Sequence, residues 1–253
     1  MKRKTYLLVS VVVLLSLVLS ACSAGGSSSG STKPKLRVAT EASYPPFENV
    51  DENTKELIGF DIDLMKAVAA KSGYEVDFQN TPFDSVLTGV STCQVDAAIS
   101  AITITEERRK KMSFSDAYIA AGQIVTVRAD NTTINGSADL PGKRIGVQLG
   151  TTGEIEAKKF EGTTIKPYDT VDLVFLDLMN GQVDAAVVDN PTTLVYVNKN
   201  KDKLKTVGQP FTNESYGIAV CKTKADVLEK INKALAELKQ DGTIAKLQDQ
   251  WLK

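Results

Sequence analysis

The residues of this chain best suited to binding chemistry lie where strand-like runs end. Residues 95–99 form a buried-type strand that leads into hydroxyl side chains and then into the guanidinium of Arg108. Arginine presents a planar, two-pronged set of donors that matches the geometry of a carboxylate. The end of this strand therefore predicts a binding site for a carboxylate group.

The same pattern recurs later in the chain with the opposite charge. The sequence QVDAA of residues 94–98 is repeated at residues 182–186, and the second copy continues into Asp189. An acid stands there, where the first copy offers Ser100. Two related halves, one with a cation and one with an anion, would together suit a zwitterion.

The remainder of the chain predicts α/β units that position these residues. The strand-like runs are residues 36–40, 76–78, 95–99, 123–127 and 143–147. A helix is expected over residues 60–72, and Thr81 is expected to cap a helix that has Pro82 at its first position. Strand and helix alternation of this kind is typical of parallel sheets covered by helices. Two further helices, separated at residues 241–242, are expected between residues 224 and 252.

Ligands of open α/β sheets bind at the carboxyl ends of the strands, and polar residues gather there in this sequence. Thr151 and Glu154 follow the strand of residues 143–147 and fit a capping box at a helix N-terminus. Free amide groups and the helix dipole at such a terminus attract an anion, although a plain strand-to-helix turn explains the same residues. Combined with Arg108, this helix start is expected to form the second side of a carboxylate clamp.

The N-terminal residues predict export. A basic start precedes an apolar stretch over residues 6–19, which is too short for a membrane span and typical of a secretory signal. The stretch ends in Leu-Ser-Ala-Cys, which resembles a bacterial lipobox with Cys22 as the lipidated (palmitate-bearing) residue. We expect a lipoprotein signal peptide over residues 1–21 and a flexible Gly/Ser-rich tether over residues 22–35. An ordinary signal with a chance cysteine is the alternative.

Composition excludes several other function classes. The formal net charge is −1 with both signs spread along the chain, so no basic surface argues for nucleic acid. Histidine is absent, which removes the commonest general acid/base and metal ligand. Cys93 and Cys221 show no motif spacing, so two unpaired thiols are favoured over the disulfide that an exported protein would permit.

Several phrases of the chain, taken in order, carry a family resemblance. They are residues 39–48 (ATEASYPPFE), 59–64 (GFDIDL), 104–108 (ITEER), 114–118 (FSDAY), 146–152 (GVQLGTT) and 241–243 (DGT). They resemble the polar amino-acid-binding lipoproteins of ABC importers, over the whole length from the signal onward. The resemblance implies a two-lobed α/β fold with two crossover strands as a hinge and a ligand cleft between the lobes. Residues 36–121 and 217–253 would form one lobe, and residues 122–216 the other.

The resemblance also implies how the two charged ends of the ligand are bound. Arg108 would bind the carboxylate, assisted by Thr103 and by the backbone at Thr152. Asp189 would bind the ammonium group, assisted by Ser100. Opposite charges in a cleft away from water attract strongly, and each end of the zwitterion has a partner in this arrangement.

Five further residues are implied in recognition of the ligand side chain. Tyr44 and Phe83 match positions whose rings enclose that side chain, although aromatic residues are more often core residues. Glu41 and Gln148 match positions that reach its far end, and a carboxylate there favours arginine, lysine or histidine. Glutamine is the alternative, since Glu41 could be a solvated charge at the rim. Ala101 stands where many relatives carry glycine or serine, so it is expected to offer backbone contacts alone.

The function that the resemblance implies is delivery of a polar L-amino acid to ABC permease subunits in the membrane, by a monomer anchored on the extracytoplasmic face. No cofactor or metal is implied, because Asp61 and Asp63 suit a helix start better than a metal pair. One rival is a dehydratase-like enzyme on the same fold, but the chain has no Gly-x-Ser-x-Gly elbow and no zinc-ligand spacing. The other rival is a ligand sensor, which would use the same clamp.

Overall fold

A computed structural model describes residues 33–253 of the chain. The predicted signal peptide, the lipidation site Cys22 and most of the predicted tether lie outside the described residues. No helix among residues 33–253 is long and apolar enough to cross a membrane.

Strands and helices alternate along the described chain, as the sequence predicts. The strands are β1 (Lys35–Thr40), β2 (Ser43–Tyr44), β3 (Glu48–Val50), β4 (Leu57–Ile58), β5 (Glu75–Asn80), β6 (Ala97–Ala98), β7 (Ser113–Phe114), β8 (Ile119–Ala121), β9 (Gln123–Arg128), β10 (Arg144–Gln148), β11 (Thr164–Tyr168), β12 (Ala185–Asp189), β13 (Leu204–Val207), β14 (Glu214–Tyr216) and β15 (Ala219–Val220). The helices are α1 (Phe60–Ser72), α2 (Phe83–Ser91), α3 (Glu106–Lys111), α4 (Thr152–Ala157), α5 (Val171–Met179), α6 (Asn190–Lys199), α7 (Ala225–Gln240) and α8 (Thr243–Trp251).

The fold has two lobes, each built on its own sheet. The first sheet has the strand order β5-β1-β6-β15-β7, and the second has the order β11-β10-β12-β9-β13. In each sheet the central strands are parallel, β1 to β5 and β6, and β10 to β11 and β12. Strand β15 is antiparallel to its neighbour β6, and strand β9 is antiparallel to its neighbour β12. The predicted α/β class is therefore confirmed.

The repeated QVDAA sequence has the same structural role in both sheets. Asp96 accepts hydrogen bonds from the backbone and guanidinium of Arg37 at the start of β1. Asp184 accepts the same set from Arg144 at the start of β10. Each repeated acid thus fixes the register of its strand against the neighbouring parallel strand. Ser100 and Asp189, which follow the two copies, therefore lie at the corresponding edge of each sheet.

A two-stranded antiparallel ribbon connects the sheets. Strands β8 and β14 pair from Ile119 with Tyr216 to Ala121 with Glu214. The chain passes from β8 into β9 through Gly122, where a Cβ atom would lie 2.4 Å from the carbonyl oxygen of Thr212. Only glycine permits this close approach of the two crossing segments.

Some local predictions need correction. Pro82, rather than Thr81, is the N-cap of α2, and no side chain caps this helix. The Glu154 carboxylate accepts the amide of Gly150 at 2.7 Å and not that of Thr151, so the reciprocal half of the capping box is missing. Thr151 does cap α4, since its hydroxyl accepts the Glu154 amide at 3.2 Å.

The preference for unpaired thiols is wrong, because Cys93 and Cys221 form a disulfide. Cys93 follows α2 and precedes β6, while Cys221 directly follows β15. Pairing of Val220 with Ala97 in the antiparallel ladder brings the two cysteines together. The sequence gives no sign of this pairing, because β15 returns to the first sheet only after the whole second lobe.

Candidate ligand-binding site

One cavity lies at the carboxyl ends of the central strands of both sheets. Residues from both lobes surround this space. The lining residues are Glu41, Tyr44, Phe83, Ser100, Ala101, Thr103, Arg108, Gln148, Thr151, Thr152 and Asp189. All ten residues that the sequence singled out therefore lie around one space, and Thr151 joins them.

Arg108 provides the cation of this cavity. The Thr105 hydroxyl caps α3 by accepting the Arg108 amide at 3.1 Å, and this cap holds the backbone from which the arginine side chain extends. Its guanidinium donates to the carbonyl oxygens of Thr103 at 2.8 Å and Gly150 at 3.0 Å, and lies 5.6 Å from the centre of the Phe83 ring. Burial lowers the pKa of Arg108 to about 10, so the group remains charged at neutral pH. Since a guanidinium has five N–H donors, donors remain for a carboxylate.

A buried carboxylate links the lobes beside this cation. Glu214, on the crossover strand β14, accepts the hydroxyls of Thr103 at 2.7 Å and Thr152 at 2.8 Å. Its other oxygen accepts the hydroxyl of Thr212 at 2.8 Å. Thr103 belongs to the first lobe and Thr152 begins α4 of the second lobe, so Glu214 joins both walls of the cavity to the ribbon.

Asp189 provides the anion on the second lobe, at the end of β12. Its carboxylate accepts hydrogen bonds from the Gln123 amide and the Tyr216 hydroxyl, and it also interacts with the Tyr44 hydroxyl of the first lobe. Burial raises the pKa of Asp189 to about 6, and the nearby charge of Glu214 acts in the same direction. These donors stabilise the ionised form and leave it a strong partner for a cation.

Acceptor groups gather at another end of the cavity. The Gln148 amide nitrogen donates to the Glu41 carboxylate at 3.0 Å and to the Asp169 carbonyl at 3.2 Å. These two contacts fix the amide so that its carbonyl oxygen is buried without a donor among the described residues. Burial raises the pKa of Glu41, with a smaller contribution from the charge of Asp172. The arrangement of acceptors favours a ligand group that carries several N–H donors.

Ser100 and Ala101 form the wall between the two charged ends. The Ser100 hydroxyl accepts the Glu41 amide at 3.0 Å. Ala101 has a φ of 46°, in the left-handed region that alanine rarely adopts. The backbone amide of Ala101 donates to Asp61 at 2.7 Å, so this amide is already occupied in the structure.

Sequence reasoning missed residues that support the cavity from the crossover ribbon and from the start of β9. Gln123, Glu214 and Tyr216 contact the lining residues but belong to none of the recognised phrases. Thr151 was predicted as a helix cap only, although it also lines the cavity. A motif search could not find the ribbon residues, since their position depends on the register of β8 against β14.

Two sheet-based lobes with a cavity lined by opposite charges at their facing strand ends define the class of two-lobed solute-binding proteins. The chain belongs to the bacterial extracellular solute-binding proteins, family 3, whose family model matches residues 36–253. This membership makes it a binding protein rather than an enzyme, and an extracytoplasmic one.

Relatives of the chain are similar over almost its whole length. The arginine-binding extracellular protein ArtP of Bacillus subtilis is 33% identical, over 98% of this chain and 98% of its own. An ancestral arginine-binding protein bound to arginine is 45% identical with a TM-score of 0.84, covering 88% of this chain and 100% of that chain. An ancestral arginine-binding protein bound to glutamine is 46% identical with a TM-score of 0.82, covering 86% and 97%.

Proposed function

We propose that this chain is the substrate-binding component of an amino-acid ABC transporter and that the cavity binds a polar L-amino acid with a cationic side chain. The observation that carries the proposal is the buried pair of opposite charges, Arg108 and Asp189, around one cavity. A buried charge without a partner is costly, so each group favours the oppositely charged end of a zwitterion. Similarity to arginine-binding relatives supports the same conclusion.

The ligand carboxylate is proposed to bind between Arg108 and the start of α4, with contributions from Thr103 and Thr152. The ligand ammonium group is proposed to bind Asp189. Ser100 would assist there, because it lines the same cavity from the other lobe. Phe83, already in contact with the arginine, and Tyr44 would enclose the aliphatic part of the ligand side chain.

Arginine, lysine or histidine is favoured over glutamine by the chemistry at Glu41 and Gln148. The Glu41 carboxylate and the unpartnered carbonyl oxygen of Gln148 are both acceptors, and neither can donate to a ligand amide oxygen. A guanidinium offers donors to both acceptors and neutralises the carboxylate. Glutamine is the second candidate, supported by the ancestral relative that was solved with glutamine bound.

Binding is proposed to proceed by hinge closure about the β8–β14 ribbon. The lobes would be residues 36–121 with 217–253, and residues 122–216, so that both boundaries fall beside the ribbon. Contacts that cross the cavity, such as that of Arg108 with the Gly150 carbonyl, would form only when the lobes approach. A bound ligand adds further cross-lobe contacts and shifts the equilibrium toward the closed form.

The protein is further proposed to be a monomer that acts on the extracytoplasmic face, anchored by a lipid on Cys22, and to deliver its ligand to permease subunits. Two acyl chains are sufficient for stable anchoring, whereas one gives marginal binding. Cys22→Ala is therefore expected to release the protein from the membrane or to leave the precursor unprocessed. Membrane fractionation with mass determination tests this, and a processed, membrane-bound variant would refute it.

A thermal-shift screen of residues 36–253 against the standard amino acids tests the binding function. A ligand at 100 times its dissociation constant adds about 2.7 kcal/mol of stability, which corresponds to a rise of about 5 to 10 °C in Tm for a domain of this size. Arginine is expected to give the largest shift. No shift with any amino acid would refute the proposal, and product analysis of each hit tests the dehydratase alternative.

A further inference from the structure

Two fully buried carboxyl groups lie directly behind the Ser100–Ala101 wall. Glu48 begins β3 and Asp61 lies in the first turn of α1, and both have 0% exposure. Neither lines the cavity, and the sequence explained Asp61 only as a complement to the helix dipole. Its neighbour Asp63 fits that explanation better, because it is partly exposed and accepts the indole N–H of Trp251 at 3.0 Å.

Asp61 holds the backbone of the wall. One oxygen of its carboxyl group, Oδ2, accepts the amide N–H of Ala101 at 2.7 Å and the hydroxyl of Tyr118 at 2.8 Å. Ala101 is the residue with a φ of 46°, so this short hydrogen bond stabilises a conformation that alanine rarely adopts. Tyr118 directly precedes β8, which ties the same carboxyl group to the start of the crossover ribbon.

Glu48 holds the side chain of the wall. The Ser100 hydroxyl donates to Glu48 Oε1 at 3.1 Å while it accepts the Glu41 amide at 3.0 Å. A chain of hydrogen bonds thus runs from the backbone of Glu41, through Ser100, to Glu48. Since a hydroxyl donates only one proton, the acceptor at Glu48 sets the direction in which Ser100 presents its free lone pair.

The remaining oxygen of each acid is left without a donor. Glu48 Oε2 and Asp61 Oδ1 are buried and have no hydrogen-bond partner among the described residues. The two carboxyl groups lie within hydrogen-bonding reach of each other. One shared proton would therefore satisfy both, with one acid donating and the other accepting, as carboxyl pairs do elsewhere. Burial and the charge of Asp61 raise the pKa of Glu48 well above its usual range, whereas that of Asp61 rises to about 6. Glu48 is therefore the member that keeps the shared proton to the higher pH.

We propose that Glu48 and Asp61 share one proton and act as positioning residues, holding the Ser100–Ala101 wall in the shape that binds the amino acid. The inference rests on the proposed binding function for its effect on affinity, but the shared proton itself does not depend on it. Loss of the proton at high pH would place two like charges in contact and displace the wall. The other ionisable groups that face the pair are Glu41, whose charge repels Glu48, and Tyr118, which donates to Asp61.

Two substitutions of Glu48 separate proton sharing from simple packing. Glu48→Gln keeps the shape, can donate its amide to Asp61 and can accept from Ser100. Glu48→Met has a similar size but can do neither. Calorimetric titration of the full chain with L-arginine and L-glutamine at pH 7 is expected to give an affinity within about threefold of wild type for Glu48→Gln and a loss of about tenfold or more for Glu48→Met.

The pH profile gives a second readout that packing alone would not change. Wild type is expected to bind more weakly as the pH rises through the raised pKa of Glu48, and Glu48→Gln is expected to lose this dependence relative to wild type. Equal affinities of Glu48→Met and wild type would overturn the proposal. So would a loss in Glu48→Gln as large as that in Glu48→Met.

Infrared spectroscopy tests the proton without any ligand. The unliganded wild-type protein at pH 7 is expected to show the carbonyl stretch of a buried, protonated carboxyl group, and this band should be absent from Glu48→Gln. A wild-type spectrum without that difference overturns the proposal even if Glu48→Met fails to fold. If wild type binds no amino acid but shows the band, the binding function fails while the shared proton stands.

Discussion

Arg108→Ala is the most direct test of the proposed clamp. The substitution removes a buried guanidinium that donates to two backbone carbonyls and retains donors for a carboxylate. The methyl group of alanine reaches none of these partners. The ligand carboxylate would then enter a buried site without its counter-charge.

The expected loss of affinity is large. Truncating one partner of a buried, hydrogen-bonded charge pair costs about 2 to 5 kcal/mol, which is roughly 30-fold to several thousand-fold in dissociation constant. The effect on folding is expected to be smaller, because two contributions oppose each other. The lost hydrogen bonds to Thr103 and Gly150 destabilise the fold, while removal of a desolvated cation, with its pKa lowered to about 10, stabilises it.

Isothermal titration with the amino acid that gives the largest thermal shift measures this loss, with chemical unfolding as the control for stability. Arg109→Ala is the matched control, since Arg109 is the exposed neighbour and lies over the Phe114 ring, 5.9 Å from its centre. It should bind as wild type does. Arg108→Lys keeps the charge but loses the two-pronged geometry, so its affinity should be intermediate. A folded Arg108→Ala variant that binds as tightly as wild type would refute the carboxylate assignment.

The other predictions concern the second charge, the side-chain specificity and the disulfide. Asp189→Asn should weaken binding by about 2 to 5 kcal/mol. The pKa of Asp189 is raised to about 6, so wild-type binding should weaken as the pH falls below 6, where the carboxylate is protonated. Protonation of Asp189 should not lower the stability of the unliganded protein over the same range, because its pKa is higher in the folded state than in the unfolded state. Binding titrations across pH should show no such dependence in Asp189→Asn. Glu41→Gln should reduce arginine and lysine affinity while leaving any glutamine affinity nearly unchanged, and a uniform loss for all three would contradict the assignment. Reducing the Cys93–Cys221 disulfide, which spans 128 residues, should lower the free energy of unfolding in urea by up to about 5 kcal/mol, and an unchanged midpoint would contradict this.

The recognised sequence motifs predict ten of the residues that line the cavity. The ends of strand-like runs point to Arg108 and Asp189, whereas the family resemblance points to the other predicted lining residues. The repeated acids Asp96 and Asp184 explain why the two halves have matching registers. Helix α1 also matches its predicted bounds, because its apolar spacing and the following Gly73 define it locally.

The remainder depended on contacts between segments that are distant in sequence. Glu214 and Tyr216 reach the cavity only through the pairing of β14 with β8, which no local pattern specifies. Asp61 was assigned to the helix dipole because its partner Ala101 lies 40 positions further along the chain. Long-range pairings of this kind leave no periodic pattern in the sequence. The Cys93–Cys221 disulfide is another such pairing.

The disulfide also determines what a single proteolytic cleavage does to the molecule. Cys93 and Cys221 enclose both strands of the crossover ribbon and the whole sheet of the second lobe within one covalent ring. Proteolysis at a single surface loop inside the ring opens it without separating the two products. The nicked molecule would keep the size of the intact chain on a non-reducing gel and separate into two bands only after reduction. An extracytoplasmic binding protein with this arrangement therefore keeps both lobes covalently joined after one cleavage inside the ring.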